Sequence, residues 1–95
     1  MSEHEVIDLD NIPESPRGLY IIFIKEGEAL FMGEVVGLTA KTALVHPWDF
    51  MFGGIDEEQI RELTLADFDQ FHCFDDMWAM DDFNNNHYWK NGVTK

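Results

Sequence analysis

The chain has 95 residues and a formal net charge of −13, from 19 Asp and Glu against 6 Lys and Arg, yet 45% of it is apolar and 14% is aromatic. This length allows one domain, and the apolar content is sufficient for a core, which excludes global disorder and separate cofactor and substrate domains. The acidic balance excludes direct nucleic-acid binding, because such binding needs a cationic surface that displaces counter-ions.

The N-terminal segment is acidic and polar. Residues 1–16 carry a charge of −5, and they lack the basic start of a signal peptide. No apolar run in the chain approaches the roughly 18 residues of a membrane span. We therefore predict an acidic, partly extended arm over residues 1–16, a single compact domain over residues 17–95, a cytoplasmic location and no membrane partner.

Three apolar runs predict an antiparallel meander after this arm. Residues 18–25 are β-branched and aromatic without a helix breaker, and a glycine turn leads into residues 29–38, whose two internal glycines indicate a bend or bulge. A tight connection then leads into residues 42–46, which are expected to stop at Pro47. Residues 17–48 carry no net charge, which suits strands that form the core.

The segment after Pro47 combines weaker signals. Residues 47–54 lack a clear period and end in two glycines, so we expect a loop. Asp56 followed by Gln59 has the spacing of a capping box, which favours a short helix or helical turn at 56–62, although the segment could instead lead into a strand.

A strand and a helix are predicted towards the C-terminus. Residues 68–74 are rich in strand-forming aromatics, which would place Phe71 and Cys73 on one face and His72 and Phe74 on the other. Two aspartates and an amphipathic spacing then predict a helix that ends in the asparagine run at 84–86. As the only cysteine, Cys73 excludes an internal disulfide, fits a reducing compartment and is expected to be buried.

Together these elements predict an α+β fold: a small antiparallel β-sheet or partial barrel with a C-terminal helix. Short strands with tight turns resemble the SH3 and Sm barrels, and this resemblance rests on the rhythm of the strands. It implies an architecture and no function.

Motif spacing argues against catalysis and metal binding. No C-x-x-C, H-x-x-x-H or H-E-x-x-H pattern occurs, and a calcium loop starting at Asp82 fails because His87 and Val93 replace its glycine and glutamate. The paired carboxylates lie in polar runs, which do not supply the apolar pocket that a general acid needs. We expect no catalytic residue, no metal and no cofactor, and a metal-assisted enzyme is the least favoured function.

The acidic charge is concentrated in residues 49–82, which carry −10 with Arg61 as their one basic residue. Aromatic residues within this segment indicate a folded acidic surface, because disordered acidic tails contain few aromatics. Such a surface suits a basic groove that binds nucleic acid, since carboxylates can replace phosphates as partners of Arg and Lys. The expected partner-binding face consists of Asp56, Glu57, Glu58, Glu62, Asp67, Asp69, Asp75, Asp76, Asp81 and Asp82. Trp48, Phe50 and Phe52 are the expected apolar anchors.

In size and charge the chain resembles small acidic inhibitors of phages and plasmids, including anti-restriction and anti-CRISPR proteins. This compositional resemblance implies a non-enzymatic inhibitor that mimics DNA or RNA and occupies the cationic, nucleic-acid-binding surface of a partner protein. The alternative is an SH3-like adaptor that binds a peptide through an aromatic groove. The sequence leaves open self-association and whether the acids confer only solubility.

Overall fold

The computed structural model describes residues 4–12 and 19–86. Strands in this part of the chain are β1 (His4–Asp8), β2 (Tyr20–Lys25), β3 (Glu28–Leu38), β4 (Thr42–Asp49), β5 (Gly54–Ile55), β6 (Arg61–Thr64) and β7 (Gln70–Phe74), and the helix is α1 (Met77–Asn84). Each pairing is antiparallel, and the order across the sheet is β1, β7, β2, β3, β4, β5, with β6 beside the first half of β4. The predicted α+β architecture with partial-barrel character is confirmed.

The predicted meander is confirmed as β2, β3 and β4, with one correction at its end. β4 does not stop at Pro47 but continues to Asp49. The proline lies where β4 changes its outer neighbour, between the stretch paired with β6 and the stretch paired with β5. A proline is tolerated at such an interruption of the ladder, where a missing N–H is not needed by a continuous neighbour.

The N-terminal segment contributes a strand to the sheet. β1 pairs with β7, with Ile7 opposite Phe71, and Ile7 is buried in the core. This part of the predicted acidic arm is therefore an edge strand and not a separate extension. The remainder of the arm, residues 1–3 and 13–16, lies outside the described residues, as do His87 and Val93.

Each face of the curled sheet carries an apolar cluster. In the inner cluster, the ring of Phe23 contacts Phe31, Phe68 and Phe71 at centroid distances of 6.1, 5.1 and 5.6 Å. This cluster contains Ile7 of β1 and Leu65, which directly follows β6, so residues from opposite edges of the curled sheet share one core. Only about 10 Å³ remains open there, close to the minimum that one water molecule needs.

The outer cluster lies beneath α1. Ile22, Ile24, Phe74 and Met80 are almost completely buried in it. Because β7 alternates between the two faces, Phe71 and Cys73 lie in the inner cluster while Phe74 lies in the outer one, as the sequence predicts. His72 also lies on the outer side, where its ring is 4.9 Å from the ring of Phe83.

Of the alternatives predicted for residues 56–62, the structure has a turn that leads into a strand and not a short helix. The carboxylate of Asp56 accepts hydrogen bonds from the backbone N–H of Glu58 and from the side-chain amide of Gln59, as a helix cap does. The chain makes one turn there and then enters β6, where Leu63 is opposite Ala43 of β4. The capping spacing of Asp56 and Gln59 is therefore compatible with a turn as well as with a helix. Pairing of the following residues with β4 decides in favour of the turn and the strand.

Candidate partner-binding surface

Three consecutive large apolar side chains stand at the turn between β4 and β5. Phe50, Met51 and Phe52 expose 53%, 99% and 79% of their surface, and we call them the apolar tip. Asp49 holds this turn, because one of its carboxylate oxygens accepts hydrogen bonds from the backbone N–H of Met51 at 2.9 Å and of Phe52 at 3.1 Å. Gly53 closes it with a φ of 82°, a conformation that other residues adopt only at a cost. The predicted loop is therefore an ordered turn.

An open groove of about 380 Å³ lies beside the tip. Its lining combines two apolar side chains with four carboxylates: Phe52, Ile55, Asp49, Asp56, Glu57 and Glu58. Three of these acids belong to the expected acidic face, whereas Asp49 was not expected to contribute. Its signal in the sequence is its place directly before an aromatic turn that ends in Gly-Gly, where an aspartate commonly caps backbone N–H groups.

Trp48 is not the exposed anchor that the sequence predicts. It is only 6% exposed, because it lies on the helix-covered face of β4, opposite Ile55 of β5. Its ring contacts Trp78 of α1 edge-on at 6.1 Å, and Trp78 is 56% exposed. The helical pattern could have identified Trp78, since the buried positions Met80 and Asn84 leave residue 78 on another side of the helix.

Carboxylates from three separate parts of the chain act on Tyr20. Tyr20 lies opposite Glu34 of β3 and opposite Phe74 of β7, two residues before Asp76. Burial is the main cause that raises the pKa of the Tyr20 hydroxyl, and the negative charges of Glu34, Asp76 and Glu57 raise it further. The turn that carries Glu57 and the start of α1 therefore contribute to one electrostatic surface.

His46 fixes the position of the acidic turn. Its Nδ1 is 2.7 Å from the carbonyl oxygen of Gln59, so the imidazole N–H donates to the end of the turn that carries Glu57 and Glu58. His46 itself is opposite Glu34 across β3 and β4. This polar row runs across the strands from Tyr20 to the turn. Glu34 was missed because it belongs to the charge-neutral meander, and only the strand register brings it to Tyr20.

The start and the middle of α1 add further acids. The carboxylate of Asp76 accepts a hydrogen bond from the backbone N–H of Trp78, which caps the helix as predicted. Asp75 and Asp82 are exposed. Partial burial, with a smaller effect of Asp82, raises the pKa of the Asp81 carboxyl, against an opposing hydrogen bond from Asn85.

Some of the ten expected acids lie away from Tyr20. Asp69 lies at the other end of β2, where its carboxylate accepts a hydrogen bond from the backbone N–H of Glu26 and its own N–H donates to Ile24. Ile24 is four positions after Tyr20 along the strand, a distance of about 13 Å. Asp67 is two residues before Asp69, and Glu62 lies on β6 opposite Leu44. We call the set Glu34, Asp49, Asp56, Glu57, Glu58, Asp75, Asp76, Asp81 and Asp82 the acidic surface.

Residues 4–12 and 19–86 provide neither a cluster of metal ligands nor a membrane-spanning helix. No group of three or more His, Cys, Asp or Glu in this part is arranged to hold a metal ion. Nor does the described part contain a helix with the length and apolarity needed to cross a membrane. No protein-family model matches the sequence, and neither curated proteins nor solved structures provide a significant match.

Proposed function

We propose that this protein is a non-enzymatic, cytoplasmic inhibitor whose acidic surface occupies the cationic, nucleic-acid-binding surface of a partner protein, as a mimic of DNA or RNA. The observation that carries the proposal is the open groove that the carboxylates of Asp49, Asp56, Glu57 and Glu58 line together. Backbone N–H groups donate hydrogen bonds to Asp49 and Asp56 and so hold the turns that carry these carboxylates. Charges that are already positioned lose little conformational entropy when they pair with Arg and Lys.

Electrostatics also describe how such a protein would act. A concentrated negative field accelerates encounter with a basic groove, and paired carboxylates then exclude the phosphates that normally bind there. Inhibition is steric and electrostatic and requires no chemical step. The partner expected from this field is a protein rich in Lys and Arg at its binding surface.

The variants that test this proposal should alter charge without altering the fold. Asp49, Asp56 and Asp76 accept backbone hydrogen bonds and so have structural roles. Glu57, Glu58 and Asp82 are exposed acids, so E57Q/E58Q/D82N removes three charges with similar shape. A matched control, D10N/E28Q/D67N, removes three exposed charges elsewhere in the molecule.

The experiment is capture of binding proteins from a lysate of the source cells at 50 and 300 mM NaCl, followed by elution with duplex DNA or with RNA. The purified partner is then titrated by anisotropy. We expect a nucleic-acid-binding protein whose affinity falls about tenfold or more as salt rises, and which DNA or RNA displaces. E57Q/E58Q/D82N should weaken binding and its salt dependence more than the control does. A partner that binds with the same affinity at both salt concentrations, and that neither DNA nor RNA displaces, would contradict the proposal.

The exposed Phe50, Phe52 and Trp78 support a second candidate, an SH3-like adaptor that binds a peptide mainly through aromatic contacts. Under this reading, charge neutralisation has little effect, while substitutions of the aromatic residues abolish binding. The same two sets of variants therefore separate the candidates.

A further inference from the structure

We infer that the apolar tip and the seam behind it dock a cationic amphipathic segment of the partner, one in which Lys and Arg flank exposed apolar side chains. The seam consists of Phe52, Ile55 and Trp78, with buried Trp48 beneath. This inference rests on the proposed function, because it assigns an apolar centre to the contact that the acidic surface makes.

The tip is built to present apolar side chains and contributes little to the core. Met51 is almost fully exposed, so packing within the protein does not account for its position. The hydrogen bonds from the N–H groups of Met51 and Phe52 to Asp49 hold the backbone of the turn. Since the turn is formed before binding, a partner would not have to order it, which favours affinity.

The seam connects the tip to α1 through direct neighbours. Phe52 and Ile55 line the same groove, Ile55 is the cross-strand partner of Trp48, and Trp48 contacts Trp78. The ring of Phe52 also lies over Gly54, where an added β-carbon would be 3.3 Å from the ring. Aromatic side chains supported in this way are typical centres of protein interfaces.

Charge around the seam selects the kind of occupant. Asp49, Asp56, Glu57 and Glu58 line the groove together with Phe52 and Ile55. On α1, Asp82 is four residues after Trp78, which places the two side chains on the same side of the helix. A second copy of this chain, with a net charge of −13, would place acids against acids at a two-fold contact. An anionic lipid surface would be repelled for the same reason. A segment with both apolar and cationic residues can place its apolar side chains on the seam and its Lys and Arg beside the surrounding carboxylates.

The test compares two synthetic peptides with the intact protein, by fluorescence anisotropy at 50 and 300 mM NaCl. One is an 18-residue amphipathic helix of Leu and Lys, and the other contains the same number of Lys with Gly and Ser in place of Leu. We expect the Leu-containing peptide to bind about tenfold more tightly at 300 mM NaCl, where charge is screened and apolar contact remains.

Met51→Ser is the most informative variant, because its nearly complete exposure means that the fold should not change. M51S and F52S should each reduce the advantage of the Leu-containing peptide several-fold, with an unchanged melting temperature for M51S. Leu30→Ser is the matched control, since Leu30 is also exposed but lies on β3 outside the seam, and it should bind like the unsubstituted protein.

The outcomes distinguish this inference from the proposed function. If both peptides bound with equal affinity, and if E57Q/E58Q/D82N weakened this binding while M51S did not, docking at the seam would be refuted. Binding through the acidic surface would still be supported. Absence of salt-dependent binding to either peptide would overturn both. Sedimentation that shows dimers broken by M51S, or binding to phosphatidylcholine vesicles that M51S abolishes, would assign the tip to a second copy or to lipid and would also overturn the inference.

Discussion

The charge-neutral meander, residues 17–48, and the acidic segment, residues 49–82, contribute to the same core in different ways. Phe23 from the meander and Phe71 from the acidic segment contact each other at 5.6 Å in the inner cluster. In the acidic segment, however, exposed carboxylates stand between buried residues, as Asp67 does between Leu65 and Phe68 and Asp69 between Phe68 and Phe71. The comparison shows that net charge does not decide whether a segment folds, because the placement of its apolar residues does.

The largest effect on stability is expected when one buried aromatic side chain is removed from each segment. Phe23→Ala and Phe71→Ala should each lower the free energy of unfolding by about 3 to 5 kcal/mol, because both rings are buried and leave cavities. Urea denaturation followed by circular dichroism measures the change, and Leu30→Ala provides an exposed control. If F71A cost as little as L30A, the acidic segment would not share the core with the meander.

A second test addresses how tightly the strands of the meander approach each other. A β-carbon at Gly33 would run into the backbone carbonyl oxygen of His46, whereas one at Gly37 would only touch the side chain of Leu44 at 3.4 Å. Gly33→Ala should therefore destabilise the protein by about 1 to 3 kcal/mol, and Gly37→Ala by clearly less. Thermal unfolding of the two variants decides this, and equal melting temperatures would refute the close approach of β3 and β4.

The meander and β7 could be predicted because their residues form short runs rich in β-branched and aromatic side chains, and such runs favour strands that are buried on both faces of the sheet. Elements that depend on long-range pairing were harder to foresee. β1 has an acidic composition and is held by pairing with β7, and β6 replaces a short helix because Leu63 pairs with Ala43. In both cases a distant strand decided the local structure.

The candidate site was only partly visible in the sequence. The tip residues Phe50 and Phe52 and three of the four acids of the groove were expected, whereas Asp49 was not. Trp48 is buried because it packs beneath α1, and the exposed tryptophan is Trp78 on the helix itself. Glu34 joins the acidic surface only through its register opposite Tyr20. Asp67 and Asp69 were grouped with the other acids by proximity in sequence, but they precede β7, and its pairing with β2 places them near Ile24 and away from Tyr20.

The smallest effect on stability is expected at Asp81, because partial burial disfavours the charged form of its carboxyl group. The pKa of Asp81 is raised in the folded state, so its contribution to stability is present below its usual titration range and is lost as pH rises through the folded pKa. Asp81→Asn should thus raise the melting temperature at pH 7 by about 1 to 3 °C and have no such benefit near pH 3. Glu28→Gln, at an exposed acid, is the control. A gain that persisted unchanged at pH 3 would exclude charge burial as its cause.

The most direct test of the account is the titration of Tyr20, where the meander meets the acidic segment. Because the chain has two tyrosines, Tyr88→Phe leaves Tyr20 as the one phenol that absorbs near 295 nm as it ionises. We predict that Tyr20 ionises above pH 10, the usual value for tyrosine, and that E57Q and D76N each lower its pKa while E28Q does not. If the pKa of Tyr20 had its usual value and did not change in E57Q or D76N, the claim that the two segments build one acidic surface would be contradicted.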